Sequence, residues 1–145
     1  MRSRPIEEAD VERILAIQTA CPEIAQWTRW DYGRVARGEM AGWVAEEQKS
    51  VVGFIVARQI AKEIEILNFA VSPEMRACGI GAALLQETLT WAKTFQGTHA
   101  ILEVRASNVA ALRFYQRHDF EVVGRRPGYY TSPTEDALLL TAKIG

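Results

Sequence analysis

Three groups of residues combine types and spacings that chemistry can use. Arg76-Ala77-Cys78-Gly79-Ile80-Gly81 lies between a strand pattern ending at Val71 and a helical pattern starting near Ala82. Two glycines in such a turn let a ligand approach the main chain closely. The helix start adds unpaired N–H groups and the positive end of a dipole. That combination holds a phosphate or pyrophosphate; the alternative is a glycine-rich turn with no ligand. Leu84 stands where the last glycine of GxGxxG belongs and Gly-Lys-Ser/Thr is missing, so neither a dinucleotide fingerprint nor a P-loop is present. In the second group, Glu103 interrupts the apolar run Ala100-Ile101-Leu102-Glu103-Val104. Strand alternation sets it with Ile101 and Arg105, opposite Ala100, Leu102 and Val104. A carboxylate there needs a partner, a water or a task, because unpaired burial is costly. Arg105 and Arg113 are the ion-pair partners within reach of the pattern. The third group is Asn108, Leu112 and Tyr115, which project from one side of a helix across two turns. Taken singly, Asn108 reads as a helix cap and Tyr115 as a core aromatic with a satisfied hydroxyl.

The elements that must position these groups follow from the patterning. A strand is expected at Arg2–Ile6, then a helix over Glu7–Thr19 with Val11, Ile14, Leu15 and Ile17 as its apolar stripe, stopped by Pro22. A second helix over Thr28–Arg37 ends at Gly38. Strands Gly42–Glu46 and Val51–Arg58 flank the polar break Glu47-Gln48-Lys49-Ser50. A strand over Glu63–Val71 stops at Ser72-Pro73, and the loop Glu74–Gly81 feeds a helix over Ala82–Phe95. There follow a strand, His99–Arg105, a helix, Asn108–Arg117, and strands at Phe120–Arg125 and Ala137–Ala142. The order β-α-α-β-β-β-α-β-α-β-β predicts an α/β fold: a mixed sheet with helices on both faces. No linker or repeat interrupts the 145 residues, so a single domain over residues 1–145 is expected. Hydrophobic residues at 48% and charged residues at 24% exclude disorder, and this length buries a core without a metal or disulfide staple. A net charge of −1 argues against nucleic-acid binding by broad phosphate neutralisation. Cys21 and Cys78 lack a CxxC partner, and no run approaches a membrane span or a leader's apolar region. A reducing cytoplasmic setting away from membranes is the expectation.

Val71-Ser72-Pro73-Glu74-Met75-Arg76-Ala77-Cys78-Gly79-Ile80-Gly81, read as one unit, resembles the GCN5-related N-acetyltransferases (GNATs). Their Arg/Gln-x-x-Gly-x-Gly/Ala signature is met by Arg76, Gly79 and Gly81. The resemblance implies acetyl-CoA as co-substrate. Phe69, Ala70 and Val71 would line its thioester end, and Ala77, Cys78, Gly79, Ile80, Gly81 and Ala82 would hold the pyrophosphate beyond Arg76. Ala77 and Cys78 stand where many members carry basic residues, which leaves the phosphates to the main chain. Glu103-Val104-Arg105-Ala106-Ser107-Asn108, then Ala111, Phe114-Tyr115 and Phe120, resembles one subgroup, the RimI-type bacterial enzymes that acetylate the N-terminal alanine of ribosomal protein S18. That likeness runs on through Gly124-Arg125-Arg126, Tyr129-Tyr130 and Glu135-Asp136-Ala137, and is loose before Asn68. It implies Glu103 as general base, Tyr115 as general acid and Asn108 as a contact to the pantetheine arm. A direct transfer needs no acyl-enzyme, so Cys78 is a bystander.

The acceptor implied is a protein N-terminus, S18-like. A small-molecule amine (amino acid, polyamine or aminoglycoside) is the same-fold alternative, and a non-catalytic CoA-binding module the different-class one. Tyr129 and Tyr130 sit in a Pro-Gly-containing connection, Arg126–Thr131, either plugging a hairpin base or walling an acceptor groove. Trp27, Trp30 and Tyr32 are read as packing rather than an opposite wall. His99 and His118 have no ligand at metal spacing, so no metal site is expected, and His118 reads as a solvated helix end. The sequence carries no signal for the oligomeric state.

Overall fold

The computed structural model describes residues 1–131 and 133–144. Strand β1 (Arg2–Pro5) leads through one 3-10 turn (Glu8–Asp10) into helix α1 (Val11–Thr19) and then α2 (Arg29–Ala36). Strands β2 (Ala41–Glu47), β3 (Ser50–Ile60) and β4 (Glu63–Val71) follow as a meander. A 3-10 turn (Pro73–Met75) precedes α3 (Ile80–Thr94), β5 (His99–Arg105), α4 (Val109–Arg117), β6 (Glu121–Thr131) and β7 (Thr134–Lys143). The seven strands form one sheet in the order β1-β2-β3-β4-β5-β7-β6, parallel between β4 and β5 and antiparallel elsewhere. The expected element order is the observed one.

Alternation along β3 builds a core on each face. Phe54 and Val56 pack with Ile14, Ile17, Tyr32 and Val35 of α1 and α2. Ile55 and Ala57 pack with Ile80, Leu84 and Leu85 of α3 and with Tyr115 and Phe120 on the α4 side. Several element boundaries differ from the sequence expectation, β7 for instance starting at Thr134 rather than Ala137, and three of the differences have a local reason. The first helix opens as a 3-10 turn because the Asp10 carboxylate turns back to accept the Glu7 N–H at 2.8 Å. Helix α3 begins at Ile80, two residues early, because Gly79 reverses the chain at φ 82°. The third concerns Arg126–Thr131, which is no connection: it continues β6. Pro127 and Gly128 are absorbed as a bulge between the pairs Arg126↔Ala137 and Tyr130↔Glu135, with Gly128 at φ 60° and its N–H on Asp136 Oδ1 at 2.9 Å. An edge strand tolerates that proline.

Strands β4 and β5 pair only from Glu63↔His99 to Glu65↔Ile101 and then part. The cause lies on the other side of β4. Its register on β3 steps from Ile66↔Ala57 to Asn68↔Val56, so Leu67 is an extra residue, and a bulge of this kind bends its strand. The side chain after the bulge then anchors the loop of residues 20–28. Asn68 donates to the Ala25 carbonyl and the Tyr32 hydroxyl, both at 2.9 Å. Tyr32 in turn donates to Gln18, which exchanges two hydrogen bonds of 2.9 Å with the Trp27 main chain. Trp27 lies against Tyr32, with ring centroids 5.4 Å apart, so these two rings pack as expected, whereas Trp30 is 67% exposed beneath the Arg37 guanidinium and does not.

Asp10, 5% exposed, is gripped through both oxygens by Arg4 at 2.8 Å. Burial opposes its ionisation, but Arg4 and the Glu7 N–H outweigh it and hold the carboxyl below its usual range. A depressed folded value contributes stability that is complete above about pH 4, the ordinary Asp value, and is lost as pH falls through the folded one. Asp10→Asn should therefore lower stability at neutral pH and flatten the acid limb, read from denaturant midpoints across an acidic-to-neutral pH series.

Candidate active site

A cavity of about 450 Å³ opens where β4 and β5 part. One wall is the loop into α3. None of the main-chain N–H groups from Ala77 to Ala82 donates to an acceptor among the described residues; the first such bond runs from Ala83 to the Gly79 carbonyl. Buried or ligand-facing N–H groups are seldom left orphaned, so this run of donors suits a diphosphate. A Cβ built at Gly79 would meet nothing within 4 Å, so that glycine serves the turn and not close packing. Arg76, Ala77, Gly79, Ile80, Gly81 and Ala82 line the cavity. Cys78 does not: it is exposed, with its Sγ directed to the Arg76 carbonyl at 3.6 Å. The Arg76 guanidinium is also engaged elsewhere, on Glu23 at 3.0 Å, Cys21 Sγ at 3.2 Å and the Val71 carbonyl at 3.4 Å.

Strand β4 supplies the second wall through Phe69, Ala70 and Val71. Ser72 N–H bonds back to Val52 O at 2.8 Å, so strand alternation turns the N–H groups of Phe69 and Val71 the other way, toward the gap. Phe69 N–H is occupied by its neighbour's Asn68 Oδ1 at 3.1 Å; Val71 N–H has no such partner among the described residues. Helix α4 closes the third side. Asn108 is both cap and wall: its Oδ1 accepts the Ala111 N–H at 3.2 Å while the residue lines the cavity. Tyr115 is 7% exposed, its ring set among Phe69, Phe114 and Phe120 at 5.4–6.2 Å. Burial pushes its hydroxyl above the usual phenol range, so it stays a proton donor throughout neutral pH.

On the other side of the gap lies a second cavity of about 80 Å³, bordered by Glu103, Asn68, Arg105 and Tyr130. The two cavities share Glu23, Ile24, Phe69, Asn108, Ala111 and Tyr115, so they meet at the parting of the strands. Glu103 is half-buried, and its ion pair is with neither of the expected arginines. Arg126 reaches it from β6 at 3.4 Å. Arg105 is instead held by Glu135 at 3.1 Å and stacks on the Tyr130 ring at 4.2 Å. Burial, then Glu103, pushes the Tyr130 hydroxyl up. Tyr129 is 51% exposed and borders neither cavity; it packs edge-on against Tyr130. Glu103, Tyr115, Asn108 and Tyr130 thus surround one small space, while Tyr129 and the Cys78 side chain stand outside it. Sequence reading missed Glu23 and Ile24, which lie in a loop without periodicity. It also missed Phe114, Arg117 and His118 on the large cavity, where His118 rests on Phe114 at 4.6 Å and is no mere solvated helix end. No cluster of three metal-ligating side chains occurs among the described residues.

Residues 8–120 match the family model described as "Acetyltransferase (GNAT) family". The chain belongs to that family. Among relatives, an N-alpha-acetyltransferase of Sulfurisphaera tokodaii is 31% identical over 157 aligned positions, covering 99% of this chain and 93% of that one. The [ribosomal protein bS18]-alanine N-acetyltransferase of Escherichia coli K12 is 31% identical over 96 positions, covering 65% of each chain. An uncharacterised N-acetyltransferase of Methanocaldococcus jannaschii is 37% identical over 102 positions, where the match spans 70% of this chain and 65% of that protein. Ard1 from Thermoplasma volcanium superposes with a TM-score of 0.87 at 28% identity, covering 99% of this chain and 97% of that one. No helix among the described residues of this GNAT chain is long and apolar enough to cross a membrane.

Gly81 lines the large cavity, and a Cβ added there would lie 3.3 Å from the Phe114 ring. Gly81→Val should leave the fold intact by circular dichroism yet abolish stabilisation by CoA. The wild-type chain should gain about 2.7 kcal/mol at CoA concentrations of about 100 times Kd.

Proposed function

We propose that this GNAT chain transfers an acetyl group from acetyl-CoA to the N-terminal α-amine of a protein, with an alanine-initiated, S18-like terminus as acceptor. The observation that carries the reading is the pair of unequal cavities meeting at Tyr115. The larger, with its run of free amides, suits an extended diphosphate-bearing thiol cofactor. The smaller, at about 80 Å³, suits an amine on a short stem and has Glu103 on its wall. Relatives named for N-terminal transfer, one of them matched along 99% of this chain, support a terminus over a free small amine.

Each group then has a defined task. An N-terminal amine, with an ordinary pKa of about 7.7–8.0, is partly protonated at neutral pH and must lose a proton to attack. Glu103 takes that proton, directly or through water, leaving Arg126 as it does so. Val71 N–H donates to the carbonyl oxygen as negative charge builds there. As the new C–N bond forms and the C–S bond breaks, Tyr115 gives its proton to the departing sulfur. Asn108 fixes the start of α4 and with it the position of Tyr115. Tyr130 and its stacked Arg105 wall the amine's chamber.

With a short alanine-initiated peptide and acetyl-CoA, Glu103→Gln and Tyr115→Phe should each lower kcat by about 100-fold or more, the ordinary scale of acid–base assistance. Mass spectrometry should find the label on the α-amine. Near-full rates in both variants would overturn the catalytic assignment; turnover of small amines with none of peptides would move the acceptor to that class.

A further inference from the structure

The loop of residues 20–28 has no regular structure, yet its Glu23 and Ile24 border both cavities. Besides the buried Cys21, whose Sγ lies 3.8 Å from the Val71 carbonyl, three contacts hold it. Gln18 on the Trp27 main chain and Asn68 on the Ala25 carbonyl are neutral, and both side chains are buried. The third is ionic and lies near the surface. Arg76, the first residue of the α3 loop, reaches Glu23 and Cys21 with one nitrogen and the end of β4 with another. The side chains of this pair are 50% and 34% exposed, and ion pairs so placed contribute little to fold stability. A contact that the fold does not need, but that joins the diphosphate loop to the wall of the small cavity, is suited to positioning.

We propose that Arg76 is a positioning residue for the acceptor. By clasping Glu23 and Cys21 it fixes the Glu23–Ile24 wall shared by the two cavities, and so couples occupancy of the donor loop to the shape of the amine's chamber. A diphosphate arriving on the amides of Ala77–Ala82 adds negative charge beside the same guanidinium, so donor and acceptor sites share one cation. Such coupling is reciprocal: whatever the donor does to acceptor affinity, the acceptor does to donor affinity. This inference rests on the donor-site reading above.

The test compares wild type, Glu23→Gln, Arg76→Lys and the double variant. CoA binding is read by calorimetry, and acceptor KM is read at saturating acetyl-CoA with the alanine-initiated peptide, or with whichever small amine turns over. Glu23→Gln should raise acceptor KM about fivefold or more, the lower end of ordinary inter-site coupling, while moving the CoA Kd less than about twofold. The melting temperature should be unchanged, which separates positioning from a structural loss. Adding Arg76→Lys to Glu23→Gln should raise acceptor KM little further, since both changes break one contact. An unchanged acceptor KM in Glu23→Gln, or strictly additive effects in the double variant, overturns the clasp. If wild type binds no CoA, the donor-site reading itself is overturned, and the clasp falls with it. CoA binding with unaltered acceptor KM removes the clasp alone.

Discussion

The molecule is organised around two parallel strands that pair at one end and not at the other. Main-chain N–H and C=O groups inside a fold are almost always matched, because leaving them dry and unpaired costs about 1–3 kcal/mol each. Here β4 gives up its β5 partner after Glu65↔Ile101, and the loop beyond it leaves the amides of Ala77 to Ala82 without acceptors among the described residues. The exposed donors are tolerable because water, or a ligand of the right charge, can reach them through the cavity. The extra residue Leu67 is what forces the parting: it bends β4 while β3 on its far side keeps pairing to Val71.

The rest of the fold holds that gap open. Two cores, one under α1 and α2 and one under α3 and α4, grip β3 and β4 from opposite faces, so neither strand can relax toward β5. Asn68, next to the bulge, uses its amide to tie the loop of residues 20–28 to β4 through Tyr32 and Ala25. The aromatic cluster of Phe69, Phe114, Tyr115 and Phe120 seals the α4 side, which keeps the Tyr115 hydroxyl neutral. Charge, by contrast, is concentrated on the other face, where Glu103, Arg126, Arg105 and Glu135 neutralise one another in pairs. An apolar side that keeps a phenol protonated and a polar side of paired charges thus meet across a single gap.

Much of this was legible locally. The β4 and β5 boundaries, Glu63–Val71 and His99–Arg105, follow from short apolar runs closed by Ser-Pro and by polar residues, and the structure has the same limits. Gly38 adopts the positive φ expected of a helix end. The alternation that puts Glu103 opposite Leu102 and Val104 is a property of any strand, and the burial pattern follows it. Where sequence reading failed, the determinant lay elsewhere in the chain. Pro127-Gly128 resembles a loop until Asp136 and the edge position of β6 are known.

The residues that make amide donors, a strand-borne carboxylate and a helix-borne phenol were set by the sequence alone, because turn chemistry and periodicities of two and 3.6 act over a few neighbours. What only the tertiary structure decided was which groups meet. Glu103 pairs with Arg126 rather than Arg105 because strand order and register bring that arginine across β7, where Ala137 is paired with Arg105 on one side and Arg126 on the other. Arg76 grips Glu23 because the bulged β4 and its anchored loop bring residues 53 positions apart into contact. Such encounters depend on strand order and register, which no local pattern encodes.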